Sequence, residues 1–171
     1  MTVQKSGPGR RVKAIACAAL AAATLLASAA NEADAAILQC VQYARSITNV
    51  PLKGDAWTWW SKAPVARLAR GQEPEMGAIL VLRKTRILPR GHVAVVSEVV
   101  SRREIVIDHA NWASRRADRG QIDLAVRVLD VSPANDWSQV RVWHAPSDSF
   151  GQRVYPAYGF IYAFDGLSYD S

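Results

Sequence analysis

The chain predicts an α+β fold in which one helix precedes an antiparallel sheet, and three observations carry that expectation. Apolar residues at 37, 38, 41, 44 and 47 recur at helical spacing. From residue 78 onward, short apolar or alternating segments of β type follow one another, separated by turn residues and prolines. Two of these segments are joined by Ser101-Arg102-Arg103 alone, a connection that suits an antiparallel hairpin and is too short for a crossover. Strands that follow a helix in a run, instead of alternating with helices, define the class.

The first thirty-five residues stand apart from that domain. Lys5, Arg10, Arg11 and Lys13 precede an unbroken run of apolar and small residues from Ala14 to Ala30, the pattern of a secretory signal peptide. Ala27-Ser28-Ala29 and Ala33-Asp34-Ala35 both offer the small residues that cleavage requires. The run is alanine-rich and falls short of the about 20 apolar residues of a permanent span. The expectation is therefore a signal peptide over residues 1–35, no stable membrane span after its removal, and a periplasmic or secreted product. Cys17 leaves with the segment, so Cys40 is the lone thiol of the mature chain.

Residues 36–171, about 135 in all, suffice for a single domain with its own core. The full chain carries a formal charge of +6, and loss of the leader leaves about +4. Arg83, Lys84, Arg86 and Arg90 form one basic cluster and Arg115, Arg116 and Arg119 a second. An exported protein of this charge suits the cell wall or anionic lipid head groups better than nucleic acid.

Taken in order, the helix is expected over Ile37 to Thr48, with Asn49-Val50-Pro51 as its stop. Gly54 to Ala69 is mixed, with Trp57, Trp59 and Trp60 crowded together and a short helix through Ala63 to Ala69. Glu73 to Gly77 reads as a turn, Ala78 to Leu82 as a buried strand, and Arg83 to Arg90 as a basic loop broken by Pro89. His92 to Val100 and Glu104 to Asn111 form the hairpin. Further strands are expected at Val126 to Val131, Gln139 to Trp143 and Tyr158 to Phe164, separated by Pro133, Pro146 and Pro156. The aromatic-rich stretches after residue 112 are read as finishing the sheet or walling a cleft, with core packing the commoner use of such residues.

The chemistry lies in Cys40, His92 and the segment Asp108-His109-Ala110-Asn111. Thiol catalysis needs a nucleophile, a base to take and return its proton, and a third group to orient the base. Strand alternation puts His109 and Asn111 on one face with Ile105 and Ile107, and Asp108 on the other. A position in the first helical turn and a neighbouring imidazolium would each lower the Cys40 pKa. His144 lacks comparable context and is read as structural. Cys40 and the three histidines show no metal-ligand spacing, so neither a metal nor another cofactor is expected.

The order Cys40-x-x-Tyr43-Ala44, Gly54-Asp55-Ala56 with tryptophans after it, Pro74-x-x-Gly77-Ala78-Ile79, Gly91-His92-Val93-Ala94-Val95-Val96 and Asn111-Trp112 resembles a CHAP domain, the cysteine- and histidine-dependent amidohydrolase/peptidase family. The resemblance spans about Leu38 to Trp112. It implies a papain-like fold and hydrolysis of peptidoglycan amide bonds, either between muramic acid and the peptide stem or within the stem. It implies Cys40 as nucleophile and His92 as base. Family members often read Glu-x-Asn-Trp where this chain reads His109-Ala110-Asn111-Trp112, which puts His109 in the orienting role, with Asn111 assisting and Asp108 as the alternative. Trp57 and Trp60 are expected to line the substrate groove. Two other readings remain open from the sequence: a catalytically idle wall-binding module of the same fold, and an acyltransferase that forms amide bonds.

Overall fold

Besides Thr2, the structure, a computed structural model, describes residues 37–112 and 119–163. The expected signal segment over residues 1–35 with Cys17, and Arg115 and Arg116 of the second basic cluster, lie outside the described residues.

The helical spacing produces helix α1, Cys40–Thr48. It begins three residues later than the apolar period because Gln39 is extended, with φ −94° and ψ 152°. The Gln39 N–H donates to Gln42 Oε1 at 2.9 Å, which satisfies a donor just outside the first turn. Asn49, at φ 57°, stops the helix in the left-handed conformation that asparagine tolerates. A 3₁₀ turn at Ala56–Thr58 leads into helix α2, Trp59–Lys62, so the short helix precedes the expected Ala63–Ala69. Trp59 is fully buried and pins that turn, and Arg67 at φ 60° prevents it from continuing.

Eight strands follow among the described residues: β1 Arg70–Gly71, β2 Ile79–Leu82, β3 His92–Ser101, β4 Glu104–Ala110, β5 Ile122–Asp130, β6 Gln139–His144, β7 Ser149–Phe150 and β8 Tyr155–Ile161. Every pairing is antiparallel. Hydrogen bonding runs from β8 through β2, β3, β4, β5 and β6 and returns to β8 through Gln139–Pro156 and Val140–Tyr155. The sheet therefore closes into a six-stranded barrel, with β1 and β7 as short additions.

Alternation then gives the sheet two apolar faces. Leu80, Leu82, Ala94, Val96, Ile105, Ile107, Val128, Val140, Val142 and Phe160 fill the barrel with Trp137, whose ring meets Phe160 edge-on at 5.5 Å. Ile79, Val81, Val93, Val95 and Ile161 point outward and are covered by Ala44 of α1 and by Trp59 and its neighbours. The run Ile79–Leu82 is apolar at every position because both faces are covered.

Two strands extend beyond their sequence signals. β5 begins at Ile122, where the first half is largely exposed and carries no clean apolar alternation. β8 begins at Tyr155 and contains Pro156, expected as a separator. That proline lies where β8 passes from β6 to β2, and its carbonyl accepts the Arg83 N–H at 2.8 Å. On the outside, Arg70 lies over Trp60 at 4.7 Å, Trp60 stacks on Tyr158 at 5.7 Å, and Arg83 covers Tyr158 at 4.4 Å. This ladder joins α2, β1, β8 and the end of β2.

Gly91 sets the entry to β3. Its φ is +67°, and a Cβ there would lie 2.8 Å from the Leu82 carbonyl oxygen and equally close to the backbone nitrogen and Cβ of Trp57. Gly91→Ala should thus cost about 2 kcal/mol or more, since strain and a backbone clash act together. Urea denaturation checks this as a lower midpoint at unchanged slope.

Candidate active site

The site gathers at one mouth of the barrel, where the start of α1 meets the start of β3 and the end of β4. Cys40 is the first residue of α1, half-buried, and it packs with the outer apolar layer. Its sulfur lies against the main-chain N–H of Val93, the residue that follows His92, and against those of Val41 and its own position. His92 opens β3 and is buried. Its Nε2 meets His109 Nδ1 at 3.0 Å. The rings cross nearly perpendicularly, at 88° with centroids 5.0 Å apart. This contact leaves Nδ1 as the His92 nitrogen available to a thiol.

Trp112 covers the histidine pair, with its ring 4.8 Å from that of His92 and 5.4 Å from that of His109, and Tyr155 backs it at 5.0 Å. The aromatic wall dries the site. Burial, and after it the adjacent His109 ring, hold His92 well below the ordinary histidine value. Burial lowers His109 to about 4. Both rings are neutral at pH 7.

Cys40 departs from the expected lowered pKa. It does occupy the first turn, and the N–H groups of Val93, Val41 and Cys40 favour the thiolate, yet burial outweighs them and pushes the thiol up. The neighbouring imidazole, being neutral, contributes no positive charge. At rest the thiol and both imidazoles are neutral, with no preformed ion pair.

Asn111 follows β4 at φ 60°, outside the strand alternation that grouped it with His109. Its Nδ2 donates to Gln39 Oε1 at 2.9 Å, its Oδ1 accepts the Gly120 N–H at 3.1 Å, and its N–H donates to the Gln121 carbonyl at 2.8 Å. It ties the residue before Cys40 to the end of the His109 strand. Asp108 points away from the imidazoles: its Oδ1 accepts the Ala125 N–H at 2.8 Å and Ser97 Oγ–H at 3.4 Å. Ala125, at φ 55°, belongs to a bulge in β5, where the register passes from Ile107–Val126 to His109–Asp123. Asp108 thus stabilises the irregularity that sets Asp123 opposite His109.

The structure places Trp57 and Trp60 in packing roles. Trp57 buttresses Gly91, with its N–H on the Arg90 carbonyl at 3.2 Å, and Trp60 belongs to the outer ladder. A cleft of about 320 Å³ beside Cys40 is lined instead by Gln39, Val41, Gln42, Arg45, Asp55 and Arg90, among others. His144 bonds Ser147 Oγ at 2.8 Å in an exposed turn. Among the described residues, no group of three or more His, Cys, Asp or Glu is placed to hold a metal, and no helix is long and apolar enough to cross a membrane. The sequence did not single out Gln39 or Asp123, and it marked Trp112 solely as part of a motif. Only the tertiary register brings Gln39 to Asn111 and Asp123 to His109.

The CHAP domain family model matches residues 30–111. Among solved structures, it is similar to an N-acetylmuramoyl-L-alanine amidase from Staphylococcus aureus, at 21% identity and a TM-score of 0.43. The similarity covers 71% of this chain and 30% of that protein, so the chain spans less than a third of its length. No curated protein sequence matches the chain.

Two measurements follow from the burial of the site. Alkylation of Cys40 by iodoacetamide should be slow at pH 7 and accelerate through pH 9, the ordinary thiol value, because the free thiol titrates above it. A rate already at plateau below pH 7 would reveal a preformed thiolate. The second concerns stability. Unfolded histidines take up protons near pH 6.5, whereas His92 and His109 resist until well below it. The unfolded state therefore binds more protons in that window, and stability is lost as pH falls from about 6.5 toward 4. Urea midpoints at pH 7.5 and 5 should show this loss, and His109→Gln should reduce it.

Proposed function

We propose that the protein is an exported cysteine hydrolase of peptidoglycan amide bonds, with a leader over residues 1–35 and a papain-like catalytic domain over 36–171. The observation that carries the reading is the buried His92–His109 pair, held at 3.0 Å beside the strand that Cys40 abuts. The match to the CHAP family model supports hydrolysis of peptidoglycan. A cysteine-bearing helix laid on an antiparallel sheet whose strands supply the histidines supports the papain-like description.

In this reading, the Cys40 proton passes to His92 Nδ1 as the sulfur attacks the amide carbonyl carbon. The C–N bond then breaks while His92 returns that proton to the departing amine, which leaves a thioester on Cys40. Water, deprotonated by the same imidazole, releases the acid and restores the thiol. A neutral, desolvated base suits this cycle, because it accepts the proton only when the developing thiolate is attacking carbon. His109 accepts a hydrogen bond from the imidazolium that forms on His92. The cleft beside Cys40 presents Arg45, Lys53 and Arg90 against Asp55, a lining suited to the carboxylates of peptide stems.

Mass spectrometry of fragments released from purified peptidoglycan tests the reading. New muramyl ends identify an amidase, new peptide amines an endopeptidase, newly joined stems an acyltransferase, and no product an idle wall-binding module. Cys40→Ala should abolish release while circular dichroism stays normal. His109→Ala should lower turnover by about ten- to a thousandfold, less than loss of Cys40 or His92. Full activity in Cys40→Ala would remove Cys40 from the nucleophile role.

A further inference from the structure

The His92–His109 contact can be polarised in two ways, and only one of them leaves a base for Cys40. With a proton on His92 Nε2, that nitrogen donates to His109 Nδ1, His109 carries its own proton on Nε2, and His92 Nδ1 keeps a free lone pair. In the reverse arrangement His109 Nδ1–H donates to His92 Nε2, and the His92 proton moves to Nδ1. A neutral His92 in that second form has no lone pair to offer a thiol. The 3.0 Å separation fits both, so something beyond the two rings must choose.

The other end of the His109 ring supplies the choice. Its Nε2 is buried and, among the described residues, has no hydrogen-bond partner. The carboxylate of Asp123 stands 3.9 Å from it, on the β5 residue paired with His109 in the ladder. Asp123 is less than one-third exposed, so its charge is only partly screened. A carboxylate at 3.9 Å attracts an Nε2–H and repels an Nε2 lone pair. The remaining neighbours are indifferent to the choice. Trp112 presents its ring to both histidines, and Asp108 spends its Oδ1 on Ala125 and Ser97 across the strand.

We propose that Asp123 is a positioning residue that fixes the His92–His109 pair in the polarity with His92 Nδ1 unprotonated and open to Cys40. The inference rests on the reading of Cys40 as nucleophile and His92 as its base. It makes the site a four-member chain, Cys40, His92, His109 and Asp123, reaching from the helix across three adjacent strands. The carboxylate that the sequence pattern lacks at position 109 is thereby supplied one ring further out, from the neighbouring strand.

The test joins tautomer states to kinetics in the full-length chain. Two-bond proton–nitrogen correlation spectra of imidazole-labelled protein at pH 7 should show both His92 and His109 protonated at Nε2. In Asp123→Ala, a substantial share of both rings should move to the Nδ1–H form. On peptidoglycan, Asp123→Asn, nearly the same in shape, should lower kcat by about ten- to a hundredfold with KM changed less than about twofold. Asp123→Glu should recover part of the loss, and unchanged urea midpoints would exclude a folding defect. Unaltered tautomers in Asp123→Ala, or full kcat in Asp123→Asn, would overturn the proposal. A wild-type protein that shows the expected tautomers, and their shift in the variant, but releases nothing from peptidoglycan would uphold the positioning by Asp123 while refuting the hydrolase reading.

Discussion

Closure of the barrel through the short pairing of β6 with β8 is the constraint on which the rest depends. Two residue pairs, Gln139–Pro156 and Val140–Tyr155, turn a six-stranded sheet into a tube with an inside and an outside. The inside is then sealed by Trp137 and Phe160, and the outside is left to α1 and α2. Closure also draws Tyr155 to Trp112, so the mouth that holds His92 and His109 is walled by aromatic rings. Without that wall, water would reach both imidazoles, and their protonation would follow ordinary histidine behaviour.

The physical character of the site is a consequence of that dryness. Desolvation favours neutral forms of acids and bases alike, so it raises the thiol and lowers the imidazoles together. Helix position and N–H donors pull the thiol the other way without prevailing. A charged pair at rest would oblige the site to hold both charges against burial. The neutral arrangement avoids that cost at rest.

Much of this was legible in the sequence, for reasons that can be traced residue by residue. Helix α1, the strand at Ile79–Leu82 and the β3–β4 hairpin announce themselves because their covered faces leave strong apolar patterns. Cys40 and the histidines stand out because few residues of their kinds exist in the chain. What escaped depends on register or on backbone conformation. Alternation placed Asn111 with His109, but a left-handed backbone takes it off the strand and into a clamp on Gln39. Asp123 sits in a strand half that is largely exposed and lacks an apolar signature, and its pairing with His109 follows a bulge that no local pattern marks. Trp57 and Trp60, expected along a groove, also pack against Gly91 and the outer layer, contacts that a linear reading does not reveal.

The alternating ladder of Arg70, Trp60, Tyr158 and Arg83 has a bearing on behaviour in brine. Its attractions act at 4.4 and 4.7 Å between cations and ring faces and at 5.7 Å between the two rings, so mobile ions have little room to intervene. The Arg90–Asp55 pair in the cleft differs, with side chains 82% and 40% exposed at 3.3 Å. Dissolved electrolyte weakens that pair and the field of the cleft around it. Rising ionic strength therefore loosens the cleft while the ladder that joins α2 to β1, β8 and the end of β2 keeps its shape.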